Sequence, residues 1–526
     1  MRRQGWWFLP ILGLIVGLGG LTGTAITTAQ DANTLVYAAQ RDPFTPDPHV
    51  TTLVVADALV AWNVYEGLVG YKPGSVEIAP ALATSWKVSA DGRTYTFQLR
   101  EGVKFHDGTS LDAQAVVRNI ERLKALNLGR ARYVDPVVSA RATSPREVVI
   151  QLKEPYAYFL QNLPRVMFIC PRVFDERQKG GDWARDWLST NTCGTGPYRL
   201  VSWRKNENHV LESFADHWNP AIQGRPQRVV IRVVPEDAVR IQLLERGDAD
   251  MIYRVGADTY ARLQAAAGVQ VLRLPGFDQT IITLNTSRTA FQKREVRQAV
   301  ATAFPYEAMA RSALRGFARV PTSHLARNME GFDPTLPPFR QDLTRAKSLL
   351  DKAGYAPGQL TFKYVWVAGI EEERLTAVLW QDALKKIGVN MENEGVPFAT
   401  LVSIVTNPQT APDASILLGG TETADAVAYL AQWFHSRNLG KQWNWAYYQN
   451  PKVDQMLDET GRSTDPKRRA ELLKQLQRIL REEMPVMPVY APPLTEAMRT
   501  RVKGWAPSPG DFHSVIRFYQ LTLEGR

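Results

Sequence analysis

Cysteine is almost absent from this 526-residue chain, which carries only Cys170 and Cys193. Two thiols cannot furnish the four-ligand set of a structural zinc site, and no Cys-x-x-Cys redox pair occurs. Histidine is sparse as well. The seven, at positions 49, 106, 209, 217, 324, 435 and 513, are dispersed, with no pair at the helical spacing that two metal ligands need. Neither His-Glu-x-x-His nor Gly-x-Ser-x-Gly is present, so the sequence offers no metalloprotease motif and no nucleophile elbow. A Walker A segment is also missing, which removes the usual nucleotide cradle. The reading is therefore a non-enzymatic protein with no cofactor and no metal. Long runs of like charge are lacking too. The net charge of +10 includes Arg2 and Arg3, and the densest basic stretch, Lys467, Arg468 and Arg469, opens a helix that also carries Glu471, Glu482 and Glu483. That pattern is a solvated helix face, not a nucleic-acid footprint.

What the chain does have is apolar bulk. With 44% hydrophobic and 10% aromatic residues, a chain of this length buries a large core and divides into more than one domain. The N-terminus reads as an export signal. Arg2 and Arg3 precede an apolar stretch from Trp6 to Leu21, then a small and polar run from Thr22 to Ala29, after which cleavage fits. Pro10 and the glycines of that stretch disfavour an uncleaved anchor. No cysteine lies near the cleavage region, so a lipoprotein is disfavoured and a freely soluble periplasmic protein, monomeric, is expected. Outside the cytoplasm disulfides persist, and Cys170 and Cys193 are expected to bridge.

Alternation in Thr94-Tyr-Thr-Phe-Gln-Leu-Arg100 puts Tyr95, Phe97 and Leu99 on one face of a half-buried strand. Ser110 is the expected cap of a following helix with Val116, Val117, Ile120 and Leu123 inward. Further strands are expected at 148–152, 198–203, 229–234 and 515–521, where β-branched and aromatic residues cluster. Helices are expected after Asp342, stopping at Gly354, over 371–387 before Gly388, and after Asp465-Pro466 as far as Pro485. The mixture is α/β. His106, in Lys104-Phe-His-Asp-Gly108, is assigned a surface or turn role, because its neighbour Asp107 points the opposite way on an extended chain. Gly194-Thr-Gly-Pro-Tyr198 is read as a structural turn, since Pro197 removes a donor and a strand follows.

An ordered set of motifs then resembles the family 5 extracellular solute-binding proteins, the dipeptide-, oligopeptide- and nickel-binding components of bacterial ABC importers. The motifs are Val64-Tyr-Glu-Gly-Leu-Val69, Pro80-Ala-Leu-Ala-Thr-Ser-Trp86, the run from Asp91 to Gly108, Gly194-Thr-Gly-Pro-Tyr198, Gly247-Asp-Ala-Asp250, Leu284-Asn-Thr286, Ala346 to Gly354 and Asn450-Pro-Lys-Val-Asp454. They span nearly the whole chain after the signal. The resemblance implies a type II periplasmic-binding-protein-like α/β fold, two lobes joined by a hinge with an extra domain inserted. After a signal peptide over residues 1–29, the first lobe would comprise 31–66, 196–283 and 485–526, the insert 67–195 and the second lobe 284–484. Both cysteines would sit in the insert, near its exit. The implied function is capture of short peptides between the lobes by hinge closure and delivery to an ABC permease with its ATPase subunits. A non-peptide solute (an oligosaccharide, opine or metal chelate) is the alternative within the fold; a secreted hydrolase and a chaperone-like binder are the rivals outside it.

By that resemblance the acid that meets a peptide's amino group falls on Glu422, three positions before Asp425, although the expected proline is Ala426 and the upstream tryptophan is Gly419. Further cleft candidates are Gln40 and Asp42 near the mature start, Tyr65, Asn285 at the crossing between lobes, and Trp443 and Trp445, alternating along an extended segment.

Overall fold

The structure is a computed structural model that describes residues 32–51, 55–222, 224–420, 423–440, 443–509 and 515–525. Three sheets organise it. The first has seven strands in the order Val269–Leu274, Leu494–Arg499, Met251–Ile252, Thr34–Ala39, Arg228–Val233, Asn208–Ser213 and Tyr198–Arg204. Its central strand Thr34–Ala39 runs parallel to both neighbours, and all six of its residues are buried, as a strand covered on both faces requires. The second sheet has five strands in the order Val389–Val396, Leu360–Val367, Ala414–Gly419, Gln279–Leu284 and Val486–Tyr490. In sequence between Thr34–Ala39 and Tyr198–Arg204, in the segment expected to be the insert, lies a four-stranded antiparallel sheet, Ala83–Val88, Thr94–Leu99, Glu147–Leu152 and Val137–Ser144, packed by the helix Ala113–Leu126. Tyr95, Phe97 and Leu99 are its inward residues, as the alternation predicts. The insert and the first sheet share one apolar core, and the second sheet has cores of its own.

Gln279–Leu284 pairs along its whole length with Ala414–Gly419, and Val486–Tyr490 pairs on its other side. Both strands therefore belong to the five-stranded sheet, and the chain crosses to it from the seven-stranded sheet at residues 275–278 and returns at 491–493. Backbone pairing, which decides membership, leaves no local signature at these positions. The helix expected to start at Ser110 starts two residues later, with the Asp112 carboxylate accepting from the Ala115 N–H at 2.7 Å. The strand expected over 515–521 is instead an irregular stretch with a turn at Phe518–Gln520, and only Thr522–Leu523 pairs, with Val502–Lys503.

The motifs that carry the resemblance turn out to be fastenings. The His106 ring donates from Nε2 to the Gly196 carbonyl at 2.8 Å and accepts the Gly194 N–H at 3.3 Å on Nδ1, so two distant motifs hold each other. Burial, the main cause, depresses the His106 pKa to about 4 and keeps the ring neutral for this dual role. Glu66 accepts from Trp218 Nε1 at 3.1 Å and from Thr195 Oγ1 at 2.9 Å. The buried Asp250 accepts from the Val36 N–H at 2.8 Å and from Arg501 Nε at 2.7 Å, tying the central strand to the C-terminal return. Gly196 is required because an added Cβ would stand 2.5 Å from the Val64 carbonyl carbon. The sulfurs of Cys170 and Cys193 are bonded, with the Cα atoms 5.5 Å apart.

Candidate functional site

Parallel strands point their carboxyl ends, and the loops that follow, in one direction, and ligands in open α/β sheets gather there. In the first lobe the central strand leads into Gln40 and Asp42, and Met251–Ile252 leads into Arg254. In the second lobe Leu360–Val367 leads into the helix Glu371–Lys385 with Glu371, Glu372 and Glu373 in its first turn, and Ala414–Gly419 leads into residues 420–425. The lobes approach at this level, since a Cβ added to Gly256 would lie 3.3 Å from Glu372 Oε1. The crossing segment ends at the buried Asp278.

Arg254 has the character of a cleft residue. Its backbone is left-handed, with φ 41°, a conformation that costs a bulky residue free energy and collects at functional sites. Its side chain is exposed, and it makes no hydrogen bond or ion pair with another described residue. Burial works to lower its pKa, but Tyr253, Glu372, Tyr490 and Asp278 together raise it.

Two carboxyl groups beside it hold their protons well above the usual carboxylate range. Burial pushes Asp278 up to about 7 against the opposing pull of Arg254. Burial pushes Glu373 up to about 8, assisted by Glu372 and opposed by the Val367 N–H, which donates to it at 2.8 Å, and by Arg254. Both hold their proton in the folded chain over a range where the unfolded chain has lost it. The folded state therefore binds more protons, and stability falls as pH rises from about 4 towards 8. The urea midpoint is expected to be higher at pH 5.5 than at pH 8, and Glu373→Gln and Asp278→Asn are each expected to flatten that slope. A slope unchanged in both variants would remove these groups as its source.

The residues singled out from the sequence fare unequally. Glu422 lies outside the described residues. Gln40 and Asp42 sit at the carboxyl end of the central strand, where Asp42 Oδ1 accepts from His209 Nε2 at 2.6 Å and Oδ2 has no partner. Asp425 is fully buried and occupied: it caps the helix Ala426–Phe434 by accepting from the Ala428 N–H at 2.7 Å, and it accepts from the hydroxyl of Tyr156 and from Asn162 Nδ2 at 3.4 Å, both on the insert. Asn285 stands at the far end of its strand, about 20 Å from the crossing at 3.4 Å per residue. Its side chain is consumed locally, donating to the Pro412 carbonyl at 3.1 Å and accepting from Ser287. Tyr65 is a core residue packed against the Gly194 backbone. Trp443 and Trp445 do not alternate along an extended segment; they sit in a turn with ring centres 5.3 Å apart, Trp445 buried and Trp443 half-buried, 6.0 Å from Trp433. Trp433 lies over the bare Gly419 backbone, where an added Cβ would meet its ring at 2.9 Å. Arg254, Asp278, Glu372 and Glu373 were not singled out, and the only sequence signal for them is their place after a strand.

Residues 77–441 match the bacterial extracellular solute-binding proteins, family 5 middle region. The chain belongs to that family. It is 30% identical over 486 residues to the probable D,D-dipeptide-binding periplasmic protein DdpA of Escherichia coli K12, covering 90% of this chain and 92% of that one. It is 27% identical over 500 residues to the glutathione-binding protein GsiB of E. coli O6:K15:H31, covering 93% and 95%. Among solved structures it is similar to the periplasmic binding protein DppA of Helicobacter pylori in complex with the peptide STSA, with a TM-score of 0.80, 25% identity, and coverage of 93% of this chain and 98% of that one. This solute-binding protein thus has the two-lobed periplasmic-binding architecture, and its interlobe face carries a cation on one lobe and carboxyl groups on the other. Among the described residues no helix is long and apolar enough to cross a membrane.

Proposed function

We propose that this solute-binding protein captures short peptides between its lobes and hands them to an ABC permease driven by ATPase subunits. The observation that carries the reading is the opposition of charged groups at facing strand ends, Arg254 against Glu372. A zwitterion needs both signs within one cleft, and desolvated charge-assisted bonds to each end are stronger than neutral ones. The names of the two curated relatives, a dipeptide binder and a glutathione binder, support the same ligand class. Contacts to both lobes stabilise the closed form by their differential affinity alone. Export through a signal cleaved after Ala29 places the mature chain in the periplasm, as a monomer that works without a cofactor and without catalysis.

The decisive experiment is mass spectrometry of the small molecules released by denaturing the mature protein purified from a periplasm. Short peptides are expected; a sugar, an opine or a metal chelate would replace the cargo and leave the fold. Once a peptide is in hand, Glu422→Ala is expected to weaken it at least tenfold by calorimetry, because a bound ammonium that loses its charged partner costs about 2 kcal/mol or more. Unchanged affinity would remove Glu422 from the site and leave Asp42 and Glu372 as the amine anchors to test.

A further inference from the structure

The second lobe lays one unusual segment against the first. Ala308–Ala313 is a π-helix, a rare conformation that collects at functional sites. Two left-handed residues follow it, Arg315 at φ 49° and Gly316 at φ 73°. A non-glycine residue persists in that conformation only where its surroundings hold it there, and the first lobe supplies holds of three kinds. Arg273, on the strand Val269–Leu274, donates from Nη2 to the Gly316 and Phe317 carbonyls at 3.0 and 2.5 Å, as a cation does at the carboxyl end of a helical segment. Tyr260, on the helix Ala257–Gln264, meets the Phe317 ring edge-on at 5.7 Å, and the Arg273 guanidinium carbon stands 5.8 and 5.6 Å from the two ring centres. Arg315 Nη2 lies 3.5 Å from Asp258 Oδ1, in the first turn of the same helix. Behind these contacts the segment is anchored at both ends. Thr376 Oγ1, on the helix Glu371–Lys385, donates to Met309 Sδ at 3.8 Å, and Arg319 exchanges backbone hydrogen bonds with Ala491, at the return crossing, at 3.0 and 2.8 Å. The contacts with the first lobe are few, and their ion pair is open to water, with Arg315 65% and Asp258 64% exposed. Small polar faces between domains part readily, whereas the insert and the first sheet share one apolar core that separation would expose.

We propose that residues 308–317 are a strap that fastens the two lobes in the closed form and lets go when they swing apart about the crossings at 275–278 and 491–493. The strap depends on the two-lobed architecture alone and is independent of which solute is bound. Its consequence is quantitative. A ligand that binds the closed form has an apparent affinity scaled by the fraction of molecules already closed. Strap and ligand therefore act on one equilibrium, and a stronger strap leaves less of the ligand's contact energy to be used in closing the lobes.

The test places spin labels on Val201→Cys and Glu392→Cys in the full mature chain. Both positions are exposed, and they lie on Tyr198–Arg204 and Val389–Val396, the edge strands farthest in each sheet from the strands that carry the crossings. Cys170 and Cys193 are buried and bonded to each other and take no label. Double electron–electron resonance on this labelled background is expected to give one dominant distance. Arg273→Gln is expected to bring in a longer distance and to raise its population relative to the shorter one at least tenfold, which corresponds to about 1.4 kcal/mol. Asp258→Arg, which sets like charges against Arg315, is expected to shift the distances in the same direction, and adding Arg315→Asp, which restores opposite charges, is expected to reverse most of that shift. A merely structural role would lower the melting temperature and leave the distances where they were. Unchanged distances in either Arg273→Gln or Asp258→Arg would overturn the strap, as would a labelled background already dominated by the longer distance. Failure here leaves peptide capture untouched, since no ligand enters the measurement.

Discussion

Replacing Asp47 with alanine is expected to lower the folding stability of the first lobe and insert by about 3–5 kcal/mol, because it strands a charge in the core. Arg122, at 0% side-chain exposure, reaches from the insert's helix to Asp47, at 1%, on the loop after the first strand. The pair is bidentate, with Nη1 to Oδ1 at 3.0 Å and Nη2 to Oδ2 at 2.6 Å, and Nε donates to the Trp183 carbonyl at 2.9 Å. Asp47 also accepts the His49 N–H at 2.9 Å, which shapes the loop. Burial alone would lift the Asp47 pKa, but the Arg122 guanidinium more than offsets it and holds the carboxyl below its ordinary value. Its contribution is therefore present at neutral pH and lost as pH falls through the lowered value. Urea unfolding followed by tryptophan fluorescence reads the effect. The double variant Asp47→Leu with Arg122→Met is expected to recover most of the loss, since an apolar pair of similar size removes both desolvated charges. A loss below about 1 kcal/mol in the single variant would mean that water reaches Arg122 and that the pair is not buried.

Asp425→Ala is expected to cost about 2–3 kcal/mol, of which about 1 comes from the lost helix cap and the rest from the stranded Tyr156 hydroxyl. Burial raises the Asp425 pKa, partly opposed by the Ala428 N–H and by Tyr156. The side chain thus joins the helix Ala426–Phe434 to Tyr156 and Asn162 of the insert. Thermal unfolding should report the loss, while affinity for a bound peptide should change less than about threefold, measured at a temperature where the variant is folded. Asp425→Asn keeps an acceptor for the Ala428 N–H and is expected to lose less. A tenfold drop in affinity with stability intact would return Asp425 to the binding surface.

The contrast between Glu422 and Asp425 shows how far motif counting reaches. Counting back from an acidic residue marks Glu422 and Asp425, and of these Asp425 is a helix cap with partners on the insert. Asn285 failed for a similar reason: the Asn-Thr motif it belongs to ends a strand whose other end forms the crossing. The paired tryptophans failed because alternation in sequence means opposite faces only on an extended chain, and Trp443 and Trp445 are in a turn. Arg254 was invisible because its meaning lies in a positive φ, a strand end and the acids of another lobe, none of which is local.

The sequence by itself determined the elements and the family. Alternation in Thr94–Leu99, the caps at Asp342 and Asp465 and the glycine stop at Gly354 are local physics, set by side-chain period and backbone sterics within a few residues. The ordered motifs were legible for a related reason: each is a fastening, such as His106 on Gly196 or Asp250 on Val36, that tolerates few substitutes. Only the tertiary structure decided which strands share a sheet, where the chain crosses between lobes and which charges meet across the cleft. Those depend on partners separated by tens to hundreds of residues. A charge acquires its role there from what surrounds it: Arg122 is matched by Asp47 in the core, and Arg254 faces Glu372 across the cleft.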